Sequence, residues 1–141
     1  MNNLNGKGPN LQSWGIALPR AVIGLVFLMH GGQKLSIWGL HNVAGFMGQV
    51  GVPLPGVAAV VATLVEFLGG AALLLGLFTR WAALLLAFDM LAAMLLVHLK
   101  AGFFLPNGFE FALTLLGANV GRVLAGPGAL AVDKAIEGWR R

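Results

Sequence analysis

His30, Lys34, Glu66, His98 and Glu110 combine the side-chain types and the surroundings needed to hold a polar ligand or move protons. Each stands within or at the end of an apolar run, where a charge costs at least about 2.5 kcal/mol on insertion scales and needs a partner or a task. A carboxylate and an imidazole half-buried at one depth can exchange protons near neutral pH. Lysine and histidine donate hydrogen bonds to carbonyl oxygens, and neighbouring carboxyl groups add a route for protons. These five are the ligand-binding or proton-handling candidates. Arg20, Asp89 and Asn119 form a second polar set, which reads as a structural ion pair or polar layer that fixes helix register.

The elements that carry these residues follow from hydropathy. Of the 141 residues, 58% are hydrophobic and 10% charged, against about 25% charged in a soluble domain. The apolar residues arrive in blocks of roughly 20, the run that crosses about 30 Å of hydrocarbon. Spans are expected over 14–35, 57–78, 81–99 and 109–125, all in one membrane domain covering 1–141. Residues 37–52, with Trp38, His41 and Phe46 among glycines, suit a short interfacial helix. Residues 129–141 read as an amphipathic tail after the helix-stopping Gly126-Pro127-Gly128. The expected fold is an all-α integral membrane protein, a four-helix transmembrane bundle with a short interfacial helix between spans 1 and 2.

A rise of about 1.5 Å per residue sorts the polar groups by depth from the inner helix ends. Arg20 falls about 7 Å in, Asn119 about 9 Å and Asp89 about 13 Å, an inner layer in which the guanidinium can reach Asp89. Glu66 falls at about 18 Å, His30 and Glu110 at about 22 Å, and His98 and Lys34 at about 27 Å, an outer layer fed by every span. Helical spacing puts Ala58, Ala62, Glu66, Gly69 and Gly70 on one stripe and Glu110, Thr114, Gly117 and Gly121 on another. Asp89 and His98, nine residues apart, point to opposite sides of their helix. Lys34, Lys100 and Arg80 also read as interfacial anchors, and His41 and Asp133 as solvated.

Composition also excludes functions. The pI of 10.4 rests on nine Lys and Arg against five Asp and Glu, a net charge of +4, and these are scattered at helix ends. That is no nucleic-acid footprint. The chain has no cysteine, which removes disulfide relays, thiolate metal sites and thiolate-held iron–sulfur clusters. No metal site is expected. The first apolar run carries Arg20 and lacks a small-x-small cleavage pattern, so it reads as a retained span. Keeping Lys7, Arg80, Arg122, Lys134, Arg140 and Arg141 on one side places both termini in the cytoplasm. No internal repeat supports a transporter architecture.

The pattern Arg20-x3-Gly24-x2-Phe27-x2-His30-Gly31-x2-Lys34, followed by Glu66-x2-Gly69-Gly70, Gly76, Arg80, His98, Glu110 and Gly126-Pro127-Gly128, resembles the DoxX family. The resemblance covers about residues 15 to 133. It implies a small bacterial four-helix inner-membrane protein associated with redox metabolism, with relatives described as subunits of thiosulfate:quinone oxidoreductases or partners in membrane oxidoreductase complexes. The family's closing motif often carries a Ser and an Asp after Gly-Pro-Gly; here Ala131 stands at the Ser position and Asp133 remains. The leading expectation is a membrane subunit of a quinone-linked redox system, at most a non-autonomous part of an oxidoreductase, whose outer polar layer takes a quinone or similar small aromatic. The alternatives are a non-catalytic accessory subunit of a larger respiratory or photosynthetic complex, a haem protein using His30 and His98, and a small-molecule transporter. Expected partners are the lipid bilayer and other membrane subunits or further copies of the chain.

Overall fold

The computed structural model describes residues 8–139. Lys7, Arg140 and Arg141, counted above among the inside-facing basic residues, lie outside the described residues. All regular structure among the described residues is helical: α1 (Leu11–Gln33), α2 (Leu40–Gln49), α3 (Pro55–Leu75), α4 (Thr79–Ala93), α5 (Glu110–Ala125) and α6 (Val132–Trp139). α1 runs on through a wider π-helical turn at Lys34–Trp38, and α4 through another at Met94–His98 and a 3-10 turn at Leu99–Ala101.

Three continuous helices are long and apolar enough to cross a bilayer: Leu11–Trp38, Pro55–Leu75 and Thr79–Ala101. α5, expected as a fourth span, has 16 residues and rises about 24 Å, short of the roughly 30 Å of a hydrocarbon core. The turn between α3 and α4 also sits earlier than hydropathy suggested. Gly76 adopts the left-handed conformation (φ 67°) and its N–H bonds back to the last turn, so α3 stops at Leu75. A residue without a Cβ enters that conformation at no steric cost.

α1 packs on α3, α3 on α4 and α4 on α5, while α2 lies against α3. Small residues permit the closest of these approaches. A Cβ on Gly24 would lie 2.6 Å from the Leu74 nitrogen, and one on Gly70 would lie 2.8 Å from the Gly24 carbonyl oxygen. Between the helices, Ile23, Phe27, Leu73, Leu86, Met90 and Leu115 form a buried core. Outside it, Leu18, Met29, Leu68, Trp81 and Leu124 are each at least 60% exposed. Apolar surface on that scale needs a lipid environment. The chain is a membrane protein.

Residues 126–134 fold back beneath α1 and α4. The buried Arg20 donates to the Pro127 carbonyl at 2.6 Å and the Leu130 carbonyl at 3.2 Å. Arg122 donates to the Ile16 carbonyl, and the Ala129 amide donates to the Ser13 carbonyl at 3.0 Å. Asp133, expected to be solvated, instead accepts from the Phe78 amide at 2.6 Å and the Thr79 amide at 2.9 Å. It caps α4 from a distant part of the chain, satisfying amides that open the helix and placing a negative charge at the positive end of its dipole. Asp133→Ala should therefore lower stability by about 2 kcal/mol, more than an ordinary local cap, because two charge-assisted bonds and a chain anchor go together. Asp133→Asn, which keeps one acceptor, should lose less. Reversible unfolding in mixed detergent micelles measures both.

Candidate functional site

Lys34 opens the π turn of α1, Glu66 lies in the middle of α3, and Asp89 lies in α4. The Lys34 Nζ donates to Glu66 Oε1 at 2.5 Å, with the Glu66 side chain only 6% exposed. Asp89 lines the same cavity as Lys34 and Glu66, on the helix packed against that of Glu66, and lies in the electrostatic field of both. Glu66 Oε2 and Asp89 Oδ2 are buried and receive no hydrogen bond from any donor group among the described residues.

This triad corrects the expected Arg20–Asp89 pair. Arg20 is engaged by the carbonyls of the returning C-terminal segment. Counted from the observed helix ends, Glu66 lies nine residues before Leu75 and Asp89 ten residues after Thr79, so the two carboxyls meet at about 14–15 Å from that end. The early stop at Gly76 removes the difference in depth that hydropathy had put between them. Asn119, the third member of the expected inner layer, is fully buried and donates to the Leu115 carbonyl of its own helix at 2.9 Å.

The triad forms one wall of a cavity of about 920 Å³. From α1 come Phe27, His30, Lys34 and Trp38; from α2 Asn42, Val43, Phe46 and Met47; from α3 Ala58, Ala62, Val65 and Glu66. α4 adds Phe88, Asp89, Leu96 and His98, and α5 adds Phe111 and Leu115. The His30 ring stands 5.9 Å from that of Phe111, tilted by 37°. His98 pairs its Nδ1 with the Asn107 carbonyl oxygen at 3.0 Å, which leaves Nε2 for another partner.

Asp89 and His98 thus share one cavity, although nine residues of regular helix would set them on opposite faces. The π turn at Met94–His98 removes more than half of that separation, since one extra residue in a turn rotates the rest of the helix by about 100°. The matching π turn at Lys34–Trp38 carries two more lining residues, Lys34 and Trp38. Glu110 does not join the lining. As the first residue of α5 it accepts the Leu105 amide at 2.7 Å, which closes the loop whose Leu105, Pro106 and Gly108 do line the cavity.

The DoxX family description matches residues 15–99, the segment that carries His30, Lys34, Glu66, Asp89 and His98. The chain belongs to the DoxX family. An uncharacterised protein of Haemophilus influenzae is 35% identical, covering 94% of this chain and 96% of its own. CatD of Bacillus subtilis, whose name provisionally makes it an oxidoreductase, is 34% identical with 84% of each chain covered. The inner membrane protein YphA of Escherichia coli is 27% identical, over 84% of this chain and 88% of its own. No solved structure matches.

In this DoxX chain the two ends of the recognised pattern are physically one unit. Arg20 reaches the Pro127 carbonyl between Gly126 and Gly128, while a Cβ on Gly76 would meet the Ala131 side chain at 2.6 Å. The cavity lining by Trp38, Asn42, Phe88 and Asp89 escaped sequence reasoning. Hydropathy marks their helices, and nothing in composition marks a π turn or the rotation it imposes.

Proposed function

We propose that the cavity takes a quinone or a similar small aromatic ring, and that this DoxX chain acts as a membrane subunit of a quinone-linked redox system. The supporting observation is the cavity itself, about 920 Å³ with a mainly apolar and aromatic lining and the Lys34–Glu66–Asp89 triad on one wall. Ligand pockets typically run about 300–1,000 Å³, apolar with a few placed polar groups. The redox class is supported by the name of its relative CatD.

A bound quinone would supply electron-accepting chemistry coupled to proton uptake. The chain's own residues bind and orient: Phe88, Phe111 and Trp38 offer ring faces and edges, and Lys34, His30 and His98 offer donors for carbonyl oxygens. Glu66 holds a proton-exchanging group at membrane depth. The chain has no cysteine to hold an iron–sulfur cluster; in this reading electrons reach the quinone from a partner protein, and the chain is a subunit.

The same reading makes α5 a short fourth span and α2 an interfacial helix at the outer side with Trp38. Both termini then lie in the cytoplasm of a bacterial inner membrane, with Arg80, Arg122 and Lys134 at that end. In nanodiscs, titration with a short-chain benzoquinone followed by tryptophan fluorescence should show saturable quenching. His30→Ala, which touches no ion pair, should weaken it about tenfold, or about 1.4 kcal/mol. Absence of quenching, or equal affinity in His30→Ala, would contradict the reading.

A further inference from the structure

Charge at the triad does not balance if every group is ionised. One ammonium, Lys34, faces two carboxyl groups, Glu66 and Asp89, all between helices that span a membrane. Lys34 Nζ satisfies Glu66 Oε1, and the remaining buried oxygens, Glu66 Oε2 and Asp89 Oδ2, have no donor among the described residues. Two carboxylate oxygens left without donors at this depth would repel each other and go unsolvated. A single proton between the carboxyls removes both costs: it turns two acceptors into a donor and an acceptor and brings the triad to neutrality.

We propose that Glu66 and Asp89 share one proton and act as a single proton-exchanging unit opening on the cavity. This assigns Asp89 a proton-handling role beside Glu66 and makes the cavity able to give a proton to, or take one from, a ring ligand bearing carbonyl or hydroxyl oxygens. The groups facing the pair from every packed element are few. α1 supplies Lys34 and His30, α4 supplies His98, and α5 turns Glu110 away toward the Leu105 amide. The inference concerns the carboxyl pair and stands apart from the quinone reading, which the same measurement tests separately.

Infrared spectroscopy of the full chain in nanodiscs at neutral pH, with hydrogen–deuterium exchange to mark protonated carboxyls, reads the proton directly. The wild type should show the band of one protonated carboxyl. Asp89→Asn and Glu66→Gln should each abolish it, because either leaves a single carboxylate opposite Lys34. Lys34→Met should about double it, since two carboxyls without a cation each take a proton. No band in the wild type, or a band that survives Asp89→Asn or Glu66→Gln, overturns the proposal, as does an unchanged band in Lys34→Met. Folding of each variant is checked by circular dichroism, and the wild-type band alone can refute the pair even if a variant fails to fold. Addition of a short-chain benzoquinone should perturb the wild-type band. If the band is present and does not respond, the pair stands and the quinone reading fails.

Discussion

Lys34→Met is expected to destabilise the protein by about 3 kcal/mol in detergent-mediated unfolding, because it strips the counter-ion from a carboxyl pair held between helices. The figure sits at the low end for breaking a buried pair, since the Lys34 side chain is 16% exposed and the remaining charges can be relieved by proton uptake. The decisive comparison is the double replacement Lys34→Met with Glu66→Gln. Removing both partners leaves one carboxyl that can be neutral, so at least half of the loss should return, whereas independent sites would add. A surface lysine serving only as an interfacial anchor would give a loss below about 1 kcal/mol and no recovery.

Gly70→Leu should prevent accumulation of folded protein. The added Cβ alone would lie 2.8 Å from the Gly24 carbonyl oxygen and 2.9 Å from the Leu28 Cα, and these are backbone atoms of α1 that cannot rotate aside. Gly70→Ala should already cost about 3 kcal/mol, at the upper end for overpacking, as α1 and α3 are pushed apart over the Phe27 core. The matched control is Gly117→Ala in α5, where a Cβ has no neighbour within 4 Å among the described residues. Its effect should stay within about 0.5 kcal/mol. Comparable losses at the two positions would show that the α1–α3 approach is not the tight contact described.

Gly117 and Gly121 also show how far a spacing pattern can be read. The small-x-x-x-small spacing of α5 reads as a packing face, yet a Cβ on either glycine would meet nothing within 4 Å among the described residues. Gly24, Gly31 and Gly70, in contrast, carry the closest helix contact. Hydropathy was enough to place the helices of α1, α3 and α4 to within a few residues, because apolar run length is dictated by the bilayer itself. The errors arose where one residue changes the geometry. Gly76 ends α3 early and brings Glu66 level with Asp89, and the π turn at Met94–His98 turns His98 toward the cavity that Asp89 lines. The partners of Arg20 and Asp133 are more than 50 positions away in sequence and become visible only once the C-terminal segment has folded back.

The cavity's occupant can be tested most directly by photocrosslinking a benzoquinone that carries a photoactivatable group to the protein in nanodiscs and mapping the adducts by peptide mass spectrometry. Adducts should concentrate on the lining residues Trp38, Phe88 and Phe111, and excess unlabelled benzoquinone should suppress them. Adducts spread over outward-facing side chains such as Leu18, Leu68 and Leu124, indifferent to that competitor, would contradict the assignment of the cavity as a ring-binding site.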